Sequence, residues 1–173
     1  MKKNKGFTLV EILVVASIIS ITLAIGMPSL KNATKKNTMA GQINSFIGLT
    51  NYARSEAIKR GTTISICASN TNGTACSTIW NNGAIAFIDS NSNGTFEGGD
   101  TLLRVTGNII GGNTFKAVIS GTTTTVSSIG YISSGGSTNT SNVDITVCSP
   151  TIHASRILTI TASGQTKSVA GTC

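Results

Sequence analysis

Residues 7–30 are almost continuously apolar, interrupted only by Glu11, Gly26, Pro28 and small hydroxyl residues. A bilayer-spanning helix needs about 20 apolar residues, so the run is long enough to cross a membrane. Beyond Pro28 the chain turns polar at Lys31, Lys35 and Lys36, and a helical spacing then returns. Met39, Ile43, Phe46, Thr50, Ala53 and Ala57 recur at intervals of three and four, with Ile47 and Leu49 beside the stripe. This spacing predicts an amphipathic helix with one face on a sheet, capped at its start by Asn37 or Thr38 and stopped by Lys59-Arg60-Gly61. Joined, the two segments form one helix of about 50 residues and about 75 Å, kinked at Pro28.

From Thr62 the helical period disappears. Short β-branched runs between Gly, Ser and Asn clusters predict antiparallel strands near 62–68, 83–89, 102–106, 114–119, 126–132, 143–148 and 157–162, with solvated turns at 70–74 and 133–142. The fold class is therefore α+β: a long N-terminal helix, half membrane segment and half amphipathic, packed on an antiparallel β-rich globular head.

Composition fixes the surroundings of that head. Only 11% of residues are charged and 5% aromatic, while Ser, Thr and Asn supply 62 of the 173. A neutral surface of hydroxyls and amides suits an exposed extracellular domain. The net charge of +7 looks like a nucleic-acid footprint, but Lys2, Lys3 and Lys5 precede the apolar run. Lysines there place the N-terminus on the cytoplasmic side and the head on the opposite side of the membrane. Ala24-Ile25-Gly26 makes a poor signal-peptidase site, so the apolar helix is expected to be retained.

Glu11 contradicts a plain anchor, because an ionised carboxylate inside the bilayer costs roughly 2.5 kcal/mol or more. Its setting, Gly6-Phe7-Thr8-Leu9-Val10-Glu11 followed by Ile12-Leu13-Val14-Val15, resembles the class III signal of type IV pilins and type II secretion pseudopilins, which also place a proline where Pro28 stands. The resemblance implies cleavage between Gly6 and Phe7 by a prepilin peptidase and N-methylation of Phe7. Glu11 would then pair with the terminal amine of a neighbouring subunit, since a buried charge is tolerable when paired. The chain divides accordingly into a leader at 1–6, a transmembrane and assembly helix at 7–30, an amphipathic half at 31–61 and a head at 62–173.

A narrower likeness follows. Asn51-Tyr52-Ala53-Arg54-Ser55-Glu56-Ala57-Ile58-Lys59-Arg60, Ile64-Ser65-Ile66-Cys67, then Trp80, Gly83, Phe87, Asp89, Asn91 and Leu102-Leu103-Arg104 resemble the GspH/FimT-type minor pilins and pseudopilins. The likeness implies a minor subunit acting in initiation or at the tip of a type IV pilus, with a DNA-binding pilin of natural transformation and a type II secretion pseudopilin as alternatives. Implied partners are other major and minor pilins, the prepilin peptidase, the inner-membrane assembly platform, and membrane lipid before assembly.

The remaining candidate chemistry is sparse. Cys67, Cys76, Cys148 and Cys173 all follow the membrane segment, so an oxidising compartment favours two disulfides. Three pairings are open; a local clamp of Cys67 with Cys76 and a tether of Cys148 with Cys173 is the expected one. Residues 89–100 match calcium-loop spacing, with Asp89, Asn91, Asn93, Thr95 and Asp100 as candidate ligands and Ca2+ as the candidate cofactor. An Asn- and Gly-rich hairpin that satisfies its own backbone is the alternative. DNA-binding relatives carry Gly-Arg-x-Arg near the C-terminus, where this chain has Gly164-Gln165-Thr166-Lys167; Arg156 and Lys167 are the candidate DNA contacts. With His153 the sole imidazole and no nucleophile elbow or phosphate loop, no catalytic residue is expected.

Overall fold

The computed structural model describes residues 6–173; Lys2, Lys3 and Lys5 of the expected leader lie outside the described residues. One helix, α1 (Leu9–Arg60), runs unbroken for 52 residues, about 78 Å at 1.5 Å per residue. Thr8 caps it: the residue is extended (φ −83°), and its Oγ1 accepts from the Glu11 amide at 3.2 Å, which is the capping-box spacing of Thr and Glu. Gly61 ends it in the left-handed region (φ 67°), donating its N–H to the Ala57 carbonyl. The cap expected at Asn37 or Thr38 does not exist, because the helix has no second start. The Thr38 hydroxyl instead donates back to the Thr34 carbonyl at 3.0 Å. Pro28 sits inside the helix and, lacking an N–H, leaves the Ala24 carbonyl without its usual donor.

The head holds two antiparallel sheets among the described residues. In the first, β1 (Ile64–Ser69) is central, paired with β2 (Cys76–Ser77), β3 (Ala84–Ile88) and β6 (Ser128–Tyr131), and β4 (Thr101–Val105) extends it beyond β3. All six residues of β1 are buried, as suits a strand covered on both faces. The second sheet runs β5 (Thr114–Ile119), β7 (Val143–Ser149), β8 (Ala154–Ile160), β9 (Thr166–Thr172). Here β7 alternates between buried and half-exposed positions, so one face meets the helix and the other meets water. Met39, Ile43, Phe46, Leu49, Ala53 and Ala57 of α1 join Ile64, Ile66, Ile145, Leu158 and Ile160 in one core. Phe46 is its hub, with ring centroids 5.9 Å from Trp80 and 5.3 Å from Phe115.

Two strands were not foreseen from the sequence. β2 spans only two residues, and β9 lies at an edge with most of its side chains exposed, so neither carries the alternating apolar signal of a half-buried strand. β8 also begins at Ala154, three residues before the expected start.

Candidate functional site

The first half of α1 presents apolar side chains in every direction. Leu9, Val10, Ile12, Leu13, Ile18, Ile21, Ile25 and Leu30 are each more than half exposed. Three hydroxyls within the run are satisfied locally: those of Ser17, Ser20 and Thr22 donate to the carbonyls of Leu13, Ala16 and Ile18 at 2.8, 2.8 and 3.0 Å. That leaves the Glu11 carboxylate as the only ionisable group between positions 7 and 30. It lies in the first turn, where the positive end of the helix favours an anion. Gly6 and Phe7 precede the helix, so the expected cleavage position lies in non-helical chain, with Phe7 four residues before Glu11.

The cysteines pair as Cys67–Cys76 and Cys148–Cys173, at sequence separations of 9 and 25. The first clamps β1 to β2 around the turn where Asn70 Oδ1 accepts from the Thr74 amide at 2.9 Å. The second fixes the end of β9 to the end of β7, two strands away.

The 89–100 loop brings its candidate ligands together but uses their oxygens internally. Asp89 is 1% exposed. Its Oδ1 accepts from the Asn93 amide at 3.1 Å, and its Oδ2 accepts from the Gly94 amide at 2.8 Å and the Ser65 hydroxyl at 2.6 Å. Asp100 accepts from the amides of Ser90 and Glu97, and Asn93 Oδ1 accepts from the Thr95 amide. The side chains of Asn91 and Asn93 both donate to Glu97 Oε1. Among the described residues, no group of three or more His, Cys, Asp or Glu side chains is placed to hold a metal.

Arg156 and Lys167 do not make one basic patch. β8 and β9 pair Arg156 with Ala170 and Lys167 with Thr159. Directly paired residues share a face, and faces alternate along a strand. Arg156 therefore lies on the face of Leu158 and Ile160, towards the helix, and Lys167 lies on the opposite face. There, Lys167 shares a cross-strand row with Thr159 and Asp144, so an acid stands two strands away.

Arg54 has a structural role the sequence did not disclose. Its Nε donates to the Gly135 carbonyl at 2.9 Å and its Nη2 to the Ser163 carbonyl at 3.4 Å, tying two loops of the head to α1. The loops meet at Gly164 (φ 77°), where an added Cβ would fall 2.1 Å from the Gly135 oxygen. Two residues along, Glu56 is buried and pairs with Arg60 and Lys59, and the hydrogen bond from Arg60 lowers its pKa. Tyr131 is wholly buried with its hydroxyl unpartnered, and burial pushes its pKa up to about 12. The motif containing Arg54 was visible in the sequence; its loop partners, 81 and 109 residues away, were not.

Comparison with known proteins agrees with this architecture. Residues 1–27 match the prokaryotic N-terminal methylation motif, and residues 42–164 match the family described as type II transport protein GspH. A curated relative, prepilin peptidase-dependent protein D of Escherichia coli K12, is 40% identical over 47 residues, covering 27% of this chain and 32% of the relative. The chain thus spans about a third of the length of the curated relative it matches. Among solved structures, the type IV minor pilin FimU of Pseudomonas aeruginosa has a TM-score of 0.59 at 20% identity, over 78% of this chain and 90% of that one. The minor pseudopilin EpsH from the type 2 secretion system of Vibrio cholerae has a TM-score of 0.52 at 11% identity, over 76% and 96%. At these identities the likeness is one of fold. With its methylation motif, its exposed apolar helix and a family match over most of its length, the chain belongs to the GspH family of minor pilins and pseudopilins.

Proposed function

We propose that the chain is a non-catalytic minor pilin that enters the initiating or tip complex of a type IV pilus after prepilin peptidase cuts between Gly6 and Phe7. Before assembly, residues 7–30 hold it in the inner membrane with the head in the periplasm; after assembly, the same residues pack among those of other pilins in an extracellular fibre. The observation that carries this reading is the apolar, uncovered first half of α1, with a single carboxylate one turn beyond the cleavage position. In a fibre core the methylated amine of a neighbouring Phe7 neutralises Glu11, and a pair survives desolvation that a lone charge does not. The assembly platform extracts the subunit once that pair can form.

The test is Glu11→Ala. The variant is cut and inserted normally but is absent from sheared fibres, while the unfolding midpoint of its head is unchanged. Recovery of the variant in fibres at the wild-type level would refute the pairing.

A second reading, a pseudopilin of type II secretion, is favoured by the family's description and by the likeness to EpsH. Deletion separates the two: loss of pili supports the first, and loss of protein export with pili intact supports the second. The DNA-uptake reading loses its contiguous basic patch, since Arg156 and Lys167 face opposite ways.

A further inference from the structure

Where α1 leaves the head, the helix and the turn before β5 enclose a cavity of about 380 Å³ lined by Lys31, Thr34, Lys35, Thr38, Gly111 and Asn113, with Leu30 at its membrane-side lip. The helix positions fall on one stripe, at intervals of one, three and four residues. The Thr34 and Thr38 hydroxyls donate back to helix carbonyls, so the cationic donors here are the two ammonium groups. Lys35 Nζ donates to Thr151 Oγ1, and among the described residues no carboxylate lies within salt-bridge distance of either lysine. The floor is Asn113, 6% exposed, whose Nδ2 donates to Gln42 Oε1 at 2.8 Å and whose buried Oδ1 has no partner. The site thus offers two unneutralised cations to an anion.

Its height along the helix matches one class of ligand. The 22 residues from Leu9, where α1 begins, to Lys31 rise about 33 Å. The hydrocarbon core is about 30 Å thick and each headgroup layer adds roughly 5 to 7 Å. With Leu9 at the cytoplasmic edge of the hydrocarbon core, Lys31 therefore lies in the periplasmic headgroup layer, and Lys35, about 6 Å further on, lies just beyond it, within reach of a lysine side chain.

We infer that this cavity binds the headgroup of an anionic phospholipid, such as phosphatidylglycerol, in the outer leaflet of the inner membrane. Lys31 and Lys35 hold the phosphodiester, and Leu30 meets the start of the acyl chains. The site seats the head against the bilayer at a fixed height before extraction. It rests on the membrane-inserted stage of the pilin reading and adds to it a lipid specificity.

The test uses the full chain in nanodiscs containing equal phosphatidylglycerol and phosphatidylcholine, with lipids retained on release counted by native mass spectrometry. Wild type retains phosphatidylglycerol with roughly 30-fold preference, the scale expected for two lysines near an anionic surface. Lys31→Gln with Lys35→Gln removes the preference, and so does the exposed change Thr34→Glu. Lys36→Gln, on another face of the helix, keeps it. Equal retention of both lipids by wild type, or equal loss in the Lys36→Gln control, overturns the site while leaving the pilin reading intact. Failure of wild type to insert into the nanodisc strikes at the pilin reading itself. If the double variant keeps the lipid preference but drops out of fibres, the lysines serve a neighbouring subunit and the lipid proposal is wrong.

Discussion

The two halves of α1 share one backbone and differ in what surrounds them. Met39, Ile43, Phe46 and Leu49 are at most 4% exposed, whereas Leu9, Val10, Leu13, Ile18 and Ile25 are 57–77% exposed. Burying such a side chain contributes roughly 1.5 to 3 kcal/mol, so the first half holds association energy that the folded chain alone does not use. The second half has a stripe because a sheet covers it from one side. The first half has no stripe because its environment, lipid or packed helices, is apolar all round. A helix that meets the same solvent in every direction needs no amphipathic pattern, and this absence of pattern marks the part of the molecule that works outside the head.

Substitutions can break that contrast, and the largest effect is expected at the aromatic hub. Phe46→Ala should cost about 3 to 5 kcal/mol of head stability. Chemical denaturation of the full chain in detergent measures it, and Leu13→Ala in the same assay should leave the midpoint in place. A comparable loss from Leu13→Ala would mean that the first half supports the head after all.

Next come the cross-links. By loop closure, replacing Cys148 and Cys173 with alanine should cost about 3.5 kcal/mol, and replacing Cys67 and Cys76 about 2.5 kcal/mol. Denaturant midpoints rank the pairs, and the reverse order would show that native packing at β2 outweighs chain entropy.

Alkaline pH probes the buried phenol. Tyr131 has its pKa raised from 10.0 to about 12 by burial, so the folded head keeps a proton that the unfolded chain releases. Its stabilisation is complete below pH 10 and is lost as pH rises through 12, a fall of about 2 to 3 kcal/mol over that window. Tyr131→Phe should flatten this part of the stability curve and change little at neutral pH. An unaltered alkaline slope in the variant would assign it to another group.

Smaller still is Gly61→Ala, which forces a Cβ into the left-handed end of α1 (φ 67°) and should cost about 1 kcal/mol of thermal stability. The smallest effect is expected from calcium. With both Asp89 oxygens already engaged, millimolar Ca2+ should not move the midpoint of the head, and a rise would restore an ion-binding role to residues 89–100.

The sequence disclosed elements whose signal is local. The second half of α1 and its end followed from three-and-four spacing and a terminal glycine, and β5 was legible to the residue because Phe115 and Ala117 alternate with Thr114 and Lys116 before the β-branched pair Val118-Ile119. β9 was not, since an exposed edge strand such as Thr166–Thr172 has no buried face to mark its period. One consequence spread to the candidate site. Without β9 there was no register, and without register the faces of Arg156 and Lys167 could not be told apart, because a single-residue step reverses a side chain's direction. The Arg54 clamp was hidden for a related reason: its acceptors are carbonyls, which every residue has.

The Cys148–Cys173 bond also gives the head a mechanical property. Tension applied at the C-terminus passes through the sulfur bridge to the end of β7 instead of peeling β9 from β8 one hydrogen bond at a time. The β8–β9 hairpin is thereby removed from the path of the force, which enters a strand already flanked on both sides by β5 and β8. A pull that would have unzipped an edge must instead shear an interior strand, so the end of the chain is among the least tearable points of the head.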